Sequence, residues 1–372
     1  MRKTLLILLL LAGSMAHAAS FDCTKAKTPQ EKAICASPEL SAADDQLAAA
    51  YKALREAAPE RMKIEVLDDQ RAWIHGMEVS CKASESGSGA DLVGSSRQYT
   101  DLTACLREYY DARTKSLLHM ILQKDGITFV WRSINLNTQG KPGGSTGSQA
   151  GLDLDRGSMI ASWPQSNRET AEWKAWNAGI ESAAQDLASE GNRDPSGKWM
   201  PEWVEGVDAE VTSSVVAVGS QLVTAYIEDD WTGGVHPNSR VIQFNWMLKE
   251  KRELRPADVF REDSAWERAI LEHCDKALRK QFGEDYENLL IPGEMAKTLH
   301  GIIIDPRNWA LDKGGLTIVF PRYSIGTYVN PADPVTIQWD ELAPLLRPSF
   351  VRPNWVPVQD LVVGRSPGVA AP

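Results

Sequence analysis

Apolar positions change their spacing along the chain near residue 125. Before that point they recur every three or four residues, the spacing that places side chains on one face of a helix. Three helix starts are predicted: one at a capping box over Thr28 to Glu31, one at Ser41 and one at Pro59. A fourth helix is expected over 101–122. Apolar residues at helical spacing are Leu40, Leu47, Tyr51 and Leu54, then Ile64, Leu67, Ile74 and Met77, then Leu102, Leu106, Tyr109, Leu117 and Ile121.

Beyond residue 125 the apolar positions indicate strands mixed with helices. Apolar runs on either side of Gly219 and Ser220 are typical of a tight hairpin, and apolar residues alternate over 242–248. A helix is expected from Ser264, and two more strands over 316–320 and 335–339. The apolar row of that helix is Trp266, Ile270, Cys274 and Leu278. The pattern predicts an α+β domain with a mostly antiparallel sheet.

The start of the chain has the features of an export signal. Arg2 and Lys3 precede an apolar run over 5–11, and Ala16 and Ala18 fit a small-x-small cleavage site. No later stretch reaches the length of about 18 apolar residues that spans a bilayer. We expect a periplasmic or secreted protein with no membrane insertion. The predicted organisation is a signal peptide (1–18), a helical domain (21–124), an α+β domain (125–350) and a Pro-rich tail (351–372).

The chain is acidic, with 50 Asp and Glu against 40 Lys and Arg, or a formal charge of −10. Cleavage after Ala18 would remove Arg2 and Lys3 and no acid, which gives −12. This balance excludes nucleic acid, whose binding needs basic stripes. It favours a cationic partner through long-range attraction, although many soluble proteins are mildly acidic without such a partner.

Four cysteines lie in the helical part of an exported chain, where disulfides persist. Three pairings are possible. Cys23 and Cys35 bracket the first helix, whereas Cys81 and Cys105 bracket a segment rich in glycine and serine, so nearest-neighbour pairing is predicted. A zinc site is the competing interpretation, and the lack of a CxxC motif disfavours it. Cys274 lies on an apolar row and is expected to be free and buried.

The sequence has no HExxH, SxxK or phosphate loop. Asp229, Asp230 and His236 allow a metal or acid–base cluster, but aspartates before a Gly-Gly turn are also ordinary turn formers. No cofactor and no metal are expected. Six tryptophans allow stacking on sugars or simple core packing, namely Trp163, Trp173, Trp176, Trp199, Trp203 and Trp231.

Residues 21 to about 120 resemble a known family. The residues that carry the resemblance are Cys23, the run from Thr28 to Cys35, Pro38 to Ser41, Asp44, Leu47, Tyr51 and Gln70 to Trp73. In order and spacing they are similar to the N-terminal domain of LprI-type lysozyme inhibitors. The family usually has Arg-Asp shortly before its third cysteine, and this chain has Met77 to Ser80 there instead. The resemblance implies a disulfide-linked helical fold that binds lysozyme.

The second part resembles another family over about 155–348. The residues that carry this resemblance are Trp231 to Pro237, Phe244 to Trp246, Leu254 to Phe260, Phe320 to Tyr323 and Val335 to Leu342. They are similar to the extracellular, lysozyme-sensing domain of RsiV-type anti-sigma factors. The resemblance implies a lysozyme contact at the loop after a strand, which we transfer to Pro321 and Tyr323. Tyr328 and His236 complete the candidate binding residues. Val235 and Gln338 depart from the usual Ala and Pro.

Two functions of different class follow. The first is a periplasmic protein that captures and inhibits lysozyme, or another cell-wall hydrolase, and is not itself an enzyme. The second is a cell-envelope accessory that binds glycan, or an enzyme acting on peptidoglycan, with peptidoglycan as the partner. The second needs a cleft with convergent carboxylates or histidines, and the sequence does not show one.

Overall fold

The computed structural model of the chain describes residues 19–85, 102–139, 156–188, 208–232, 238–290, 294–327 and 329–355. The chain divides into two compact units, Met1–Ile121 and Leu122–Pro372. The first is helical and the second combines a mostly antiparallel sheet with helices, so the predicted fold class is confirmed.

The first unit contains four helices. They are α1 (Pro29–Ala36), α2 (Pro38–Ala57), α3 (Lys63–Glu85) and α4 (Leu102–His119). The Thr28 capping box is present: the Glu31 amide donates to Thr28 Oγ1 at 3.1 Å and the Thr28 amide to Glu31 Oε2 at 2.9 Å. The predicted start of α2 at Ser41 is wrong, because Ser37 caps the helix and Ser41 donates instead to the Ile34 carbonyl.

In the predicted apolar row of α2, Leu40, Leu47 and Leu54 are buried and Tyr51 is half-buried, whereas the predicted row of α3 is only partly right. Ile64 and Ile74 are 71% and 41% exposed. The described buried residues of α3 are Val66, Gln70, Met77 and Cys81. The helix is therefore rotated relative to the face that the sequence predicts.

Two disulfides close the helical unit, and both are the predicted ones. Cys23 pairs with Cys35, and Cys81 with Cys105. The first bridge ties the chain before α1 to the last turn of α1. The second joins α3 to α4, which fixes the ends of the segment between these helices.

A seven-stranded sheet, in the order β1 to β7, forms the first layer of the second unit. Its strands are β1 (Ile121–Lys124), β2 (Ile127–Gln139), β3 (Arg156–Ser166), β4 (Asp208–Val218), β5 (Leu222–Thr232), β6 (Asn238–Met247) and β7 (Arg252–Glu253). β3 and β4 run parallel, and the pairs that follow along the sheet are antiparallel. A parallel pair needs a crossover, and the chain between these strands contains α5 (Ala171–Ala188).

The helix α5 covers one face of this sheet. Its apolar side packs on residues of β3 to β6, and the resulting core includes Trp163, Trp176, Ile180, Ile227 and Phe244. The β4–β5 hairpin lies where it is predicted, with the Gly219 amide donating to the Leu222 carbonyl at 2.8 Å.

A second core lies beside a three-stranded antiparallel sheet in the order β10, β9, β8. These strands are β8 (Trp309–Asp312), β9 (Gly315–Ile318) and β10 (Val335–Gln338), and the helices are α6 (Pro256–Val259), α7 (Trp266–Phe282), α8 (Met295–Ile303) and α9 (Trp339–Leu342). The predicted apolar row of α7 is fully inside this core, Cys274 included.

Trp355 of the Pro-rich tail is part of the fold. Its indole nitrogen donates to the Leu311 carbonyl at 2.7 Å, and its own carbonyl accepts from the Lys313 amide at 2.9 Å. The ring packs against the second core and covers Gly219.

Candidate functional site

The residues that carry the resemblance in the helical unit form an internal polar network. Gln70 and Trp73 lie on α3, and both meet Arg113 of α4. The Arg113 Nε donates to Gln70 Oε1 at 3.0 Å, and its Nη2 donates to Asp69 Oδ2 at 2.5 Å. The guanidinium also lies over the Trp73 ring, 5.8 Å from its centroid. This arrangement explains why a glutamine faces inward on α3.

The network extends to α2 and to the segment before α1. The Trp73 ring meets Tyr110 edge-on at 5.5 Å. Burial raises the pKa of Tyr110, and its hydroxyl is held by the carboxylate of Asp44, which acts in the same direction. Asp44 Oδ2 also accepts from the Ser20 amide at 2.7 Å. These motif residues therefore fix the helices relative to one another.

Apolar residues on the outside of α3 are the contact candidates that the sequence interpretation missed. Ile64, Ile74 and Val79 are 71%, 41% and 49% exposed. The sequence could have indicated them, because α3 has more apolar residues than fit on one buried face of a helix. At 1.5 Å per residue, Ile64 and Ile74 lie about 15 Å apart along the helix axis, so they are separate exposed apolar positions and not one continuous patch.

In the second unit, Pro321 and Tyr323 lie on one loop after β9. Tyr323 is 45% exposed and has a φ of +60°. A positive φ is unfavourable for a residue with a bulky side chain and persists only where the surroundings impose it. The next residue closes a turn, since the Ser324 amide donates to the Pro321 carbonyl at 3.0 Å. The loop thus presents the tyrosine at its outer tip.

Two carboxylates of β5 lie near this loop. Glu228 and Asp230 are on the face opposite to Ile227, which is in the core under α5. Burial raises the pKa of both groups, and the positive charge of Arg322 opposes this for each of them. The Asp230 and Glu210 carboxylates raise the pKa of Glu228 further. Glu210 of β4 lies opposite Asp230 in the register of the two strands, so this face of the sheet is acidic.

The cluster of Asp229, Asp230 and His236 is not supported by the geometry. Asp229 is buried and forms an ion pair with Arg240 at 3.3 Å, whereas Asp230 faces the other side of β5. Adjacent strand residues cannot converge on one ion. Within the described ranges no group of three or more His, Cys, Asp or Glu side chains is placed to hold a metal. His236 itself lies outside the described residues, and so does Tyr328.

The tryptophans with a described side chain belong to cores. Trp163, Trp173 and Trp176 are at most 7% exposed, so stacking on a sugar is wrong for these three. Trp199 and Trp203 lie outside the described residues, and so does the side chain of Trp231. Cys274 is fully buried, and burial raises the pKa of its thiol to about 12, so it stays protonated and unreactive at neutral pH.

The comparisons with protein families match two separate segments. Residues 23–117 match the model of the lysozyme inhibitor LprI. Residues 257–340 match that of a protein of unknown function, DUF3298, and they lie inside the segment that resembles the RsiV-type domain. Both resemblances found in the sequence are thereby confirmed.

Two solved structures are similar to the chain. One is a member of the DUF3298 family from Bacteroides fragilis, with 17% identity, a TM-score of 0.38, and coverage of 59% of this chain and 94% of its own. The other is a DUF3298 family protein from Pseudomonas aeruginosa, with 14% identity, a TM-score of 0.39, and coverage of 60% and 96%. No curated protein matches the chain. The chain thus combines an N-terminal segment similar to the LprI lysozyme inhibitors with a C-terminal segment similar to the DUF3298 family.

Proposed function

We propose that this protein is exported, captures lysozyme or a related cell-wall hydrolase, and inhibits it by covering its active site. The observation that carries the proposal is the match of residues 23–117 to the lysozyme inhibitor LprI. The two disulfides of that segment suit an oxidising compartment such as the periplasm. None of the helices in the described segments is both long and apolar enough to cross a membrane.

Charge supports a cationic partner such as lysozyme. The full chain carries a formal charge of −10, and Glu210 and Asp230 lie opposite each other on β4 and β5. Complementary charge speeds the encounter of two proteins and makes its rate fall as salt is added. We therefore propose that salt acts mainly on association and less on dissociation.

Two surfaces are the proposed contacts. One is the Tyr323 loop, since an exposed tyrosine beside a charged surface is a frequent anchor in interfaces. The other is the outside of α3 at Ile64 and Ile74, in the segment that matches the inhibitor family. Pro321 precedes the Tyr323 turn, and we propose it as a contact of the same loop. His236 and Tyr328 remain proposals based on the sequence.

We further propose that the protein has no hydrolase activity and needs no cofactor. One matching family consists of lysozyme inhibitors and the other has no known function, so neither is known for enzymatic activity. Three of the six tryptophans proposed for glycan binding are buried in the core, which weakens the glycan-binding alternative. Peptidoglycan therefore stays the weaker partner candidate.

The test uses the purified chain from residue 19 onward, with its disulfides formed. Its binding to several purified lysozymes is measured at low and high salt, together with their lysis of a peptidoglycan suspension. Inhibition that is proportional to binding is the expected result. If every lysozyme remains fully active and none binds at low salt, the proposal fails. Release of peptidoglycan fragments by the protein itself would support the enzymatic alternative.

Single variants then separate the two surfaces. Tyr323→Ala should weaken binding by more than about 1 kcal/mol if the tyrosine is a central anchor. The matched control is Val351→Ala, which also truncates an exposed apolar residue of the second unit. Ile74→Asp tests α3 in the same way. Loss of binding with Ile74→Asp and none with Tyr323→Ala would assign the contact to the helical unit and exclude the loop.

A further inference from the structure

Asp44 of α2 is a buried carboxylate without a cationic partner in the described part of the chain. It is 7% exposed, and no described Lys, Arg or His side chain forms an ion pair with it. Its Oδ2 accepts from the Ser20 amide at 2.7 Å. Burial removes water from a carboxylate, so its charge is costly unless a positive group lies beside it. The site therefore favours a cation.

The ionisable side chains in the neighbourhood of Asp44 add no positive charge. Burial raises the pKa of Tyr110 on α4, and the carboxylates of Asp44, Glu31 and Glu78 raise it further. These carboxylates come from three helices, α2, α1 and α3. The Tyr110 hydroxyl itself is neutral at ordinary pH. The potential in this part of the helical unit is therefore negative.

The start of the described chain brings a backbone nitrogen close to Asp44. Ala19 is 7% exposed and directly precedes Ser20. Consecutive backbone nitrogens are at most about 3.7 Å apart, so the Ala19 nitrogen lies within about 6.4 Å of Asp44 Oδ2. Four residues after Ala19, the disulfide from Cys23 to Cys35 fixes the same segment to α1. The segment is thus held at both ends, which lowers the entropy cost of placing the nitrogen at Asp44.

We propose that Asp44 is the binding site for the α-ammonium group of Ala19, which cleavage after Ala18 creates. The proposal rests on the export proposed above. Before cleavage the Ala19 nitrogen is an uncharged amide. Hydrolysis breaks its bond to the Ala18 carbonyl carbon: water gives a hydroxyl to the carbon and a hydrogen to the nitrogen. The new acid then loses its proton to the new amine.

Cleavage therefore supplies the cation that the buried carboxylate lacks. The ammonium has a full positive charge and three donors, whereas the amide before cleavage has one donor and no charge. Hydrogen bonds between charged groups are the stronger ones in proteins. The ion pair joins the start of the chain to α2, so the helical unit is more stable after processing than before it.

Titration of the α-ammonium group tests the contact directly. The full chain from residue 19 onward is labelled with ¹³C, and the methyl signal of Ala19 is followed across pH by NMR. A free α-amino group has a pKa of about 7.7–8.0, and beside Asp44 it should be higher. The same protein unfolded in urea is the reference. A folded value equal to or below the unfolded one overturns the proposal.

Two variants show whether Asp44 is responsible. Asp44→Asn removes the charge but keeps an oxygen that accepts from the Ser20 amide, and it should return the α-amino group to its ordinary pKa. Asp45→Asn is the matched control, because it removes the same charge from a position about 100° further round the helix. It should leave the raised pKa in place. An equal effect of both variants would contradict a specific site at Asp44.

Acetylation of the N-terminus provides a test in which Asp44 is unchanged. It converts the ammonium group into an amide, as in the unprocessed chain. Hydrogen exchange of the α2 amides, measured on the full chain by mass spectrometry, should show about tenfold less protection, as expected for a hydrogen bond to a charged group. In Asp44→Asn acetylation should have no effect. Equal protection of the acetylated and the free chain overturns the proposal.

The N-terminal sequence of the exported protein and its lysozyme binding separate this inference from the proposed function. A mature chain that starts at a residue other than Ala19 overturns the inference, and lysozyme capture by that chain would still support the proposed function. If acetylation lowers the protection of α2 but no lysozyme binds, the ammonium site stands and the proposed function fails. If lysozyme binds and acetylation has no effect, only the inference is overturned.

Discussion

Gly179 of α5 lies directly against the indole ring of Trp246 of β6. A Cβ atom on Gly179 would be 2.4 Å from Trp246 Cζ3 and 2.6 Å from Cη2, distances that real side chains do not reach. The helix approaches the sheet this closely only because position 179 has no side chain. The six-membered ring of the buried Trp246 occupies the space that results.

Gly179→Ala should therefore destabilise the second unit, although alanine favours a helix. Overpacking of a core costs about 1–3 kcal/mol, which exceeds the gain in helix propensity of about 1 kcal/mol. Urea denaturation followed by tryptophan fluorescence measures the change. Gly301→Ala in α8 is the control, because nothing lies within 4 Å of its added Cβ. It should stabilise the same unit, and destabilisation by both variants would contradict this explanation.

Removing the Cys81–Cys105 bridge should destabilise the helical unit. Its sequence separation of 24 corresponds to about 3–4 kcal/mol in the chain-entropy model, against about 3 kcal/mol for the separation of 12 between Cys23 and Cys35. Each pair is replaced by alanines, and helical circular dichroism is followed during denaturation. An equal loss from both pairs, or none from either, would argue against the entropic account.

Arg113→Lys should destabilise the helical unit by about 1–2 kcal/mol. Lysine keeps the charge but loses the fork that bonds Gln70 and Asp69 and the stacking on Trp73. Arg71→Lys is the matched control, since Arg71 forms an exposed pair with Asp68 at 3.4 Å. It should change stability by less than about 0.5 kcal/mol. Equal effects of both substitutions would show that the fork geometry is unimportant.

The His273–Glu341 pair should make the second unit pH-dependent. His273 Nε2 lies 2.9 Å from Glu341 Oε2, and this bond raises the pKa of His273 above 6.5 and lowers that of Glu341 below 4.5. A raised histidine pKa stabilises the fold at pH below its unfolded value, and this contribution is lost as pH rises through the folded value. The stability contributed by Glu341 is lost instead as pH falls through its lowered pKa.

The melting temperatures of the unchanged protein and of Glu341→Gln test this pair across pH. Their difference should be largest between about pH 5 and about pH 6 and should shrink toward about pH 8. A difference that is independent of pH would mean that the two side chains do not interact through charge. An NMR titration of His273 provides the matching measurement.

The fold class could be predicted because the spacing of apolar residues is regular within each helix and each strand. The alternation at Ile242, Phe244 and Trp246 lies on a strand, β6. The helical row from Trp266 to Leu278 lies on α7 and faces the core. One helical signal was overlooked. Trp173, Trp176 and Ile180 recur at helical spacing, which predicts α5 and would have placed these tryptophans in the core.

The face of α3 could not be predicted in the same way. Two sets of positions on this helix are apolar enough to be buried, and their period is identical. Which of the two faces is buried depends on Arg113 and Tyr110 of α4, which contact Gln70 and Trp73 of α3. Such a choice depends on contacts distant in sequence, and the spacing within one helix does not contain it.

The Cys81–Cys105 bridge also has a consequence for proteolysis of the helical unit. A protease that cuts once between residues 82 and 104 produces two fragments, but the bridge keeps them covalently joined. The nicked chain would run as two bands only after reduction, while the helices on either side of the cut stay in place. Degradation of this unit therefore requires a second event, either further cleavage or chemical reduction of the bridge.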